Sequence, residues 1–345
     1  MNLEGRNNSS DYHVSTLYVY LTFHQNPNWK RDEKSRRLQF LATNIFYLSQ
    51  LPADILDLKV ISNLEITEFN EICQPVVSRG LNDRVSQYVA NKDDLRDPRL
   101  GISIPWLLTW THKQFMRKDL DESLHDINAC FLVLEDDAIF TQANLEYFLR
   151  YKTPMREIGL IPSFIRAEWS LSVKCWIHPD SFERIDFNSD IFNCPFNESK
   201  KLLQRNNPFS ASILFDAQYC REYFESESSV QQLACFKHNY IFDIGSTATL
   251  GLICESIPSG FKSRTAVLVD TNSFFPEPGS VIRHQGDRYA NDPWQKHFRL
   301  YDAPNLSTPN VKRSFLQITK RLLMRDVHII IRNYLKRIIS VWIRK

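Results

Sequence analysis

Three neighbouring acids, Glu135-Asp136-Asp137, follow directly on the apolar run Phe131-Leu132-Val133-Leu134 and precede Ala138-Ile139-Phe140. Four consecutive apolar residues read as a strand buried on both faces, as in the interior of a parallel sheet. The acids cannot continue into that core, because each unpaired buried charge is costly. They belong where the strand emerges, at the carboxyl edge where open α/β sheets bind ligands. Clustered hard oxygen ligands suit a divalent cation that holds a diphosphate. Acids after an arbitrary strand more commonly cap the next helix or solvate a loop. Three in succession, closing a strand that tolerates no other polarity, favour the ligand role.

The elements that would position these acids follow from periodicity. Leu17–Phe23 reads as a first strand, and Lys34–Gln50 as a helix with Leu38, Leu41, Ile45 and Leu48 at spacings of three and four. Pro52 ends it and Leu56–Ile61 supplies a second strand, an opening like half of a mononucleotide-binding sheet. Residues 65–97 are charged and read as loops and short helices. Pro105 opens a helix carrying Trp106, Leu107, Trp110 and Phe115, with Pro at its favoured first position. Thr141 is placed to cap the helix after the acids, and Asp216 to cap one running through Phe224. Leu160–Ile165, Leu171–Ile177, Ser212–Phe215, Ala266–Val269 and Ser280–Ile282 read as strands. Residues 187–207 read as an irregular polar insertion and Gly245–Glu255 as helical.

The whole chain, 345 residues, is long enough for a large core. Glycine is scarce, at nine residues, and neither GxxxxGK[ST] nor GxGxxG is present, so any nucleotide is held by a metal and side chains rather than a glycine cradle. HExxH and GxSxG are also missing, and Glu135-Asp136-Asp137-Ala138 does not supply the DxDx[TV] of a haloacid-dehalogenase-type phosphotransferase. The seven cysteines are dispersed without a CxxC pair, which favours reduced thiols and a cytoplasmic setting. Polar Met1–Asp11 gives no signal-peptide pattern and reads as a disordered lead. No apolar run approaches the roughly 18 residues of a membrane span.

A family resemblance enters on these residues. Val133-Leu134-Glu135-Asp136-Asp137 resembles the LEDD form of the acidic DXD signature in GT-A-fold nucleotide-sugar glycosyltransferases. It is similar to the version in bacterial enzymes of lipopolysaccharide and surface-polysaccharide synthesis. Leu107-Leu108-Thr109-Trp110, Ile161 through Glu168, and His284 with Arg288-Tyr289-Ala290 resemble further blocks of a glycosyltransferase-like group. The blocks span most of residues 15–295, although only the acidic one is a recognised functional motif.

The resemblance implies an α/β fold: a single GT-A-like, Rossmann-like mixed sheet flanked by helices, in one domain over residues 12–305. It implies Mn²⁺ or Mg²⁺ bridging the phosphates of a nucleotide-sugar donor, with Asp137 as metal ligand and Asp136 and Glu135 as metal or ribose contacts. A late histidine often completes such a site, and His284, after Val281-Ile282-Arg283 and before a loop, stands where one is expected; as an isolated histidine it would read as a surface residue. Arg283 or Arg288 can pair with phosphate oxygens. Arg166 and Glu168, two apart at a strand end, share a face and can orient an acceptor, with Trp169 stacking on a sugar; otherwise they form a surface ion pair. An inverting transferase needs a general base. Asp243 before Ile244-Gly245-Ser246 is one candidate, equally a helix cap, and Glu168 is the other.

From Lys312 to Lys345 there are ten Lys/Arg against one acid, Asp326, so a mildly acidic body carries a basic tail. Phe315, Ile318, Leu322, Val327, Ile330, Tyr334, Ile338 and Trp342 recur among the basic residues, the pattern of an amphipathic helix over 306–345. Such a helix can lie on an anionic membrane, each Lys/Arg contributing about 1 kcal/mol near the surface, pack on the body, or bind nucleic acid; the membrane reading is preferred. The expectation is a metal-dependent glycosyltransferase, peripheral on the inner face of the membrane, that extends a glycan or lipid-linked acceptor and binds no nucleic acid. A metal-dependent phosphotransferase or phosphatase and a non-catalytic membrane-surface protein are the competing expectations.

Overall fold

The computed structural model describes residues 13–80, 83–97, 103–171, 174–178, 190–205, 208–231, 233–234, 244–286, 291 and 298–299. The lead 1–11, the tail 306–345, Asp243 and Arg288 lie outside the described residues. The chain opens β1 (Val14–Phe23), α1 (Arg31–Ser49), β2 (Ala53–Ser62), α2 (Phe69–Val77) and β3 (Arg84–Val89). Asp32 and Glu33 occupy the first turn of α1, where the helix dipole favours acids. Leu41, Ile45 and Leu48 form its buried stripe, and the chain leaves the helix at Pro52, which disfavours helical backbone before it.

A 3₁₀ turn (Pro105–Trp110) and α3 (His112–Glu122) then lead to β4 (Cys130–Glu135), β5 (Ala138–Ile139) and α4 (Gln142–Glu157). The remaining strands are β6 (Ile161–Pro162), β7 (Ile165–Ser170), β8 (Cys175–His178), β9 (Ile191–Asn193), β10 (Lys200–Leu203) and β11 (Ser212–Asp216). After α5 (Ala217–Glu225) come β12 (Thr265–Asp270), β13 (Val281–His284) and β14 (Phe298–Arg299).

The architecture is mixed α/β, as expected, with the described strands arranged in three sheets flanked by helices. The main sheet has the order β11-β4-β1-β2-β3; β4, β1, β2 and β3 run parallel and β11 antiparallel. Leu132 and Leu134 lie between Val19 and Leu21 on one side and β11 on the other, all buried as the apolar run requires. The chain leaves β1 toward β2 but returns as β4 on the opposite side of β1. The carboxyl ends of β1 and β4 therefore flank a topological switch point, the crevice where open α/β sheets hold ligands. A further sheet, β14-β8-β7-β13-β5, abuts this edge through β5, and one apolar cluster runs from Val14 to Ile282.

Several local expectations are corrected. Residues 65–97 hold the short helix α2, as expected, but also the edge strand β3, whose polar sequence hides it because much of it is exposed. The 187–207 insertion holds β9 and β10, with β10 paired to β12. The helix opened by Pro105 is a 3₁₀ turn that hands over at Thr111 to α3. Residues 244–255 are helical only over Ile244–Thr247 and continue as turns, with Gly251 at φ +58°. Among the described residues, no helix is long and apolar enough to cross a membrane.

Candidate metal centre

Glu135 is the last residue of β4, and Asp136-Asp137 form the turn into β5. Hydrogen bonds to its backbone fix this turn from both sides. The Asp136 N–H donates to Thr22 O on β1 (3.1 Å), and Asn44 Nδ2 on α1 donates to Glu135 O (3.1 Å) and Ala138 O (2.9 Å). The acids do not cap α4. That role falls to Thr141, whose backbone N–H donates to Asn144 Oδ1 (2.8 Å) in a capping box.

His284 arrives from the other end of the sequence. β13 pairs antiparallel with β5, setting His284 opposite Ala138, and parallel with β7, setting Ile282 beside Arg166 and Arg283 beside Ala167. The Gln285 N–H donates to Asp137 O (2.7 Å) and Gln285 Nε2 to Phe40 O on α1 (3.0 Å), locking the strand end to the acidic turn. His284 Nε2 lies 3.0 Å from Asp137 Oδ1, and Nδ1 lies 2.8 Å from Glu168 Oε1. Glu135, Asp137 and His284 each offer a ligand atom, and these atoms lie within 4.8 Å of one another. The cluster can hold a metal ion.

Arg37 completes the charge pattern. Its NH1 is 2.6 Å from Asp137 Oδ2 and its NH2 2.6 Å from Asp136 Oδ1, with the guanidinium near the rings of Trp29 and Phe40. Burial alone would raise the Asp137 carboxyl, but His284 and Arg37 outweigh it and hold Asp137 well below the usual carboxylate range. Burial pushes Asp136 well above that range against the pull of Arg37, since one guanidinium is shared between adjacent acids. Burial would lower His284; Asp137 and Glu168 outweigh it and push the imidazole up to about 10.

The residues present fit a divalent cation. Two carboxylates and an imidazole form a mixed oxygen and nitrogen donor set suited to Mn²⁺ and accessible to Mg²⁺. Beside these donors, Asp136 Oδ2 is buried with no hydrogen-bond partner among the described residues. Gly286 leaves room beside the donors: a Cβ there would stand 3.0 Å from His284 Cε1 and 3.7 Å from Asp137 Oδ2. Metal-bound histidines characteristically turn their other ring nitrogen to a carboxylate, and Glu168 stands at ion-pair distance from that nitrogen.

The other expected residues are distributed differently. Asp136 lies beside the cluster rather than in it, on Arg37. Glu168 is buried without exposed surface, with Oε1 2.8 Å from His284 Nδ1, rather than standing at an open strand end. Arg166 is buried on β7 with its guanidinium 5.4 Å from the Phe209 ring and its carbonyl accepting from His178 Nδ1 (3.0 Å), not a surface ion pair. Trp169 and Arg283 occupy the face of their strands opposite Glu168 and His284. There Trp169 meets Trp176 edge-on at 5.5 Å, and Arg283 lies over Trp176 at 5.4 Å. Sequence reasoning missed Arg37, Asn44 and Gly286. Arg37 sits in the polar stretch Arg31–Arg37, which reads as a solvated helix face, while a glycine two residues after a candidate ligand in so glycine-poor a chain was a usable signal.

No family model matches the chain, and no curated protein matches its sequence. Solved structures overlap it loosely, two of them as follows. A 4-diphosphocytidyl-2C-methyl-D-erythritol synthase is 12% identical over 68% of this chain and 84% of its own, with a TM-score of 0.32. Mouse xyloside xylosyltransferase 1 in its apo form is 14% identical over 68% of this chain and 80% of its own, with a TM-score of 0.34. Overlap this loose transfers neither protein's activity.

Proposed function

We propose that this chain is a divalent-cation-dependent transferase that moves a sugar from a nucleotide-diphosphate donor to a glycan or lipid-linked acceptor. The observation that carries the reading is the meeting of Glu135, Asp137 and His284 at the carboxyl edge of the switch point, with Glu168 behind the histidine. These three would hold Mn²⁺ or Mg²⁺, which when bound supplies charge neutralisation for a departing diphosphate. Arg37, at the same edge, orients the Asp137 carboxylate through its outer oxygen and brings a guanidinium close to where phosphate oxygens would lie. Because Glu168 is occupied by His284, Asp243 is the proposed general base, and Arg288 a proposed phosphate contact. The basic amphipathic pattern of residues 306–345 supports an anionic membrane surface as partner, and with it a peripheral place on the inner face.

The test is a thermal-shift screen of UDP and GDP with and without Mn²⁺ on the intact chain and on Asp137→Ala. An ion-dependent rise in melting temperature that vanishes in a folded Asp137→Ala protein supports the reading. No rise with either nucleotide under any divalent ion sinks it. Release of inorganic phosphate from the nucleotide, in place of sugar transfer or free sugar, would move the assignment to phosphoryl chemistry. Liposome flotation of the chain cut at residue 311 tests the membrane partner: loss of binding with nucleotide shifts retained is expected, and unchanged flotation overturns it.

A further inference from the structure

Asn44 makes an unusual contact for a helix-interior residue. It lies on α1 two turns after Arg37 and on the same face, without exposed surface. Its single amide nitrogen donates to both carbonyls that bracket the acids: Glu135 O at 3.1 Å, before Asp136-Asp137, and Ala138 O at 2.9 Å, after them. Its Oδ1 is buried with no hydrogen-bond partner among the described residues. That orphaned oxygen fixes the orientation, because flipping the amide would set an acceptor against two acceptors.

We propose that Asn44 is a positioning residue for the ion: its amide sets the width of the Glu135–Ala138 turn and so the separation of the Glu135 and Asp137 ligand oxygens. This inference rests on the metal-centre reading above. An amide is suited to the task because it supplies two N–H groups to two carbonyls and adds no charge to a site already crowded with acids. Aspartate has the same shape but would repel both carbonyls. Alanine would leave both without this donor, and the turn would be free to widen. Arg37 and the Phe40 carbonyl, on the same helix, hold the Asp137 side chain and Gln285, so one face of α1 meets the carboxylate half and the histidine half of the centre.

The test is Mn²⁺ titration of the full chain, followed by the electron paramagnetic resonance of free and bound ion, for wild type, Asn44→Ala, Asn44→Ser and Ile45→Val. Ile45 is the adjacent buried residue of α1, part of the apolar cluster and without a polar group to bond the turn. All three variants should lower the melting temperature. Asn44→Ala should also weaken Mn²⁺ binding by about 10–100-fold and alter the bound-ion spectrum, as the loss of an outer partner of a metal ligand does. Asn44→Ser, which retains one donor, should fall between, and it carries the comparison should Asn44→Ala fail to fold. Ile45→Val should bind as wild type does. Wild-type affinity and spectrum in the Asn44 variants, with binding intact in wild type, overturn this proposal alone. A wild type that binds no Mn²⁺ overturns the centre itself and this inference with it.

Discussion

Glu168 Oε1 stands 2.8 Å from Nδ1 of His284, at a point where the glutamate has no exposed surface. A buried carboxylate on one ring nitrogen fixes which way the imidazole faces, and here it turns Nε2 toward Asp137. The pairing links β7 to β13, strands more than a hundred residues apart in sequence.

Replacing Glu168 by Gln keeps the shape and removes the charge. Mn²⁺ affinity should fall by roughly 10–100-fold, the usual effect of losing such an outer partner, in a protein that still folds. Calorimetric titration measures it; an unchanged affinity would show that Glu168 does not orient the ligand.

The metal-free protein should lose stability in alkali. His284 is held at about 10 when folded, against an ordinary value of 6.5. A raised folded value means its contribution is fully present below pH 6.5 and is lost as pH climbs through about 10. Melting temperature measured in chelator should therefore decline over that window, and the decline should flatten in His284→Gln. Asp137, depressed in the fold, acts at the opposite end: its contribution is present above the ordinary carboxylate value and lost as pH falls through the lowered one.

Arg37→Met leaves Asp136 and Asp137 without their shared guanidinium. Breaking a buried pair by removing one partner costs about 3–5 kcal/mol, and a figure at or below the lower end is expected because the arginine side chain is 20% exposed. The melting temperature of the metal-free variant should drop, and Mn²⁺ should then raise it by more than it raises wild type, because the ion replaces the missing positive charge. Equal ion-induced shifts in the two proteins would contradict this.

Gly286→Ala places a methyl 3.0 Å from His284 Cε1. The imidazole is pinned between Asp137 and Glu168 and cannot retreat without giving up one of them. Overpacking of this kind costs about 1–3 kcal/mol, and the variant should bind Mn²⁺ more weakly as well as melt earlier. Unaltered Mn²⁺ affinity would mean that the ring has room to move.

By itself the sequence determined the strand that carries the acids, the helix expected over Lys34–Gln50 and found over Arg31–Ser49, and the Thr141 and Asp216 caps, because each is written in local apolar spacing and capping chemistry. It also nominated the acidic cluster, by the abrupt change from apolar to charged at the end of a strand, while the family resemblance singled out Asp137 and His284 as ligands. Tertiary structure alone decided what surrounds them. Arg37 and Asn44 look like ordinary helix residues until α1 packs beside the β4–β5 turn, and Glu168 looks like half of a surface pair until β13 lies against β7. Hydrophobic periodicity records which face of an element is buried, but it does not record which buried polar groups meet across elements. Those meetings are set by strand order and register, and the charge balance of the centre exists only after the chain has closed on itself.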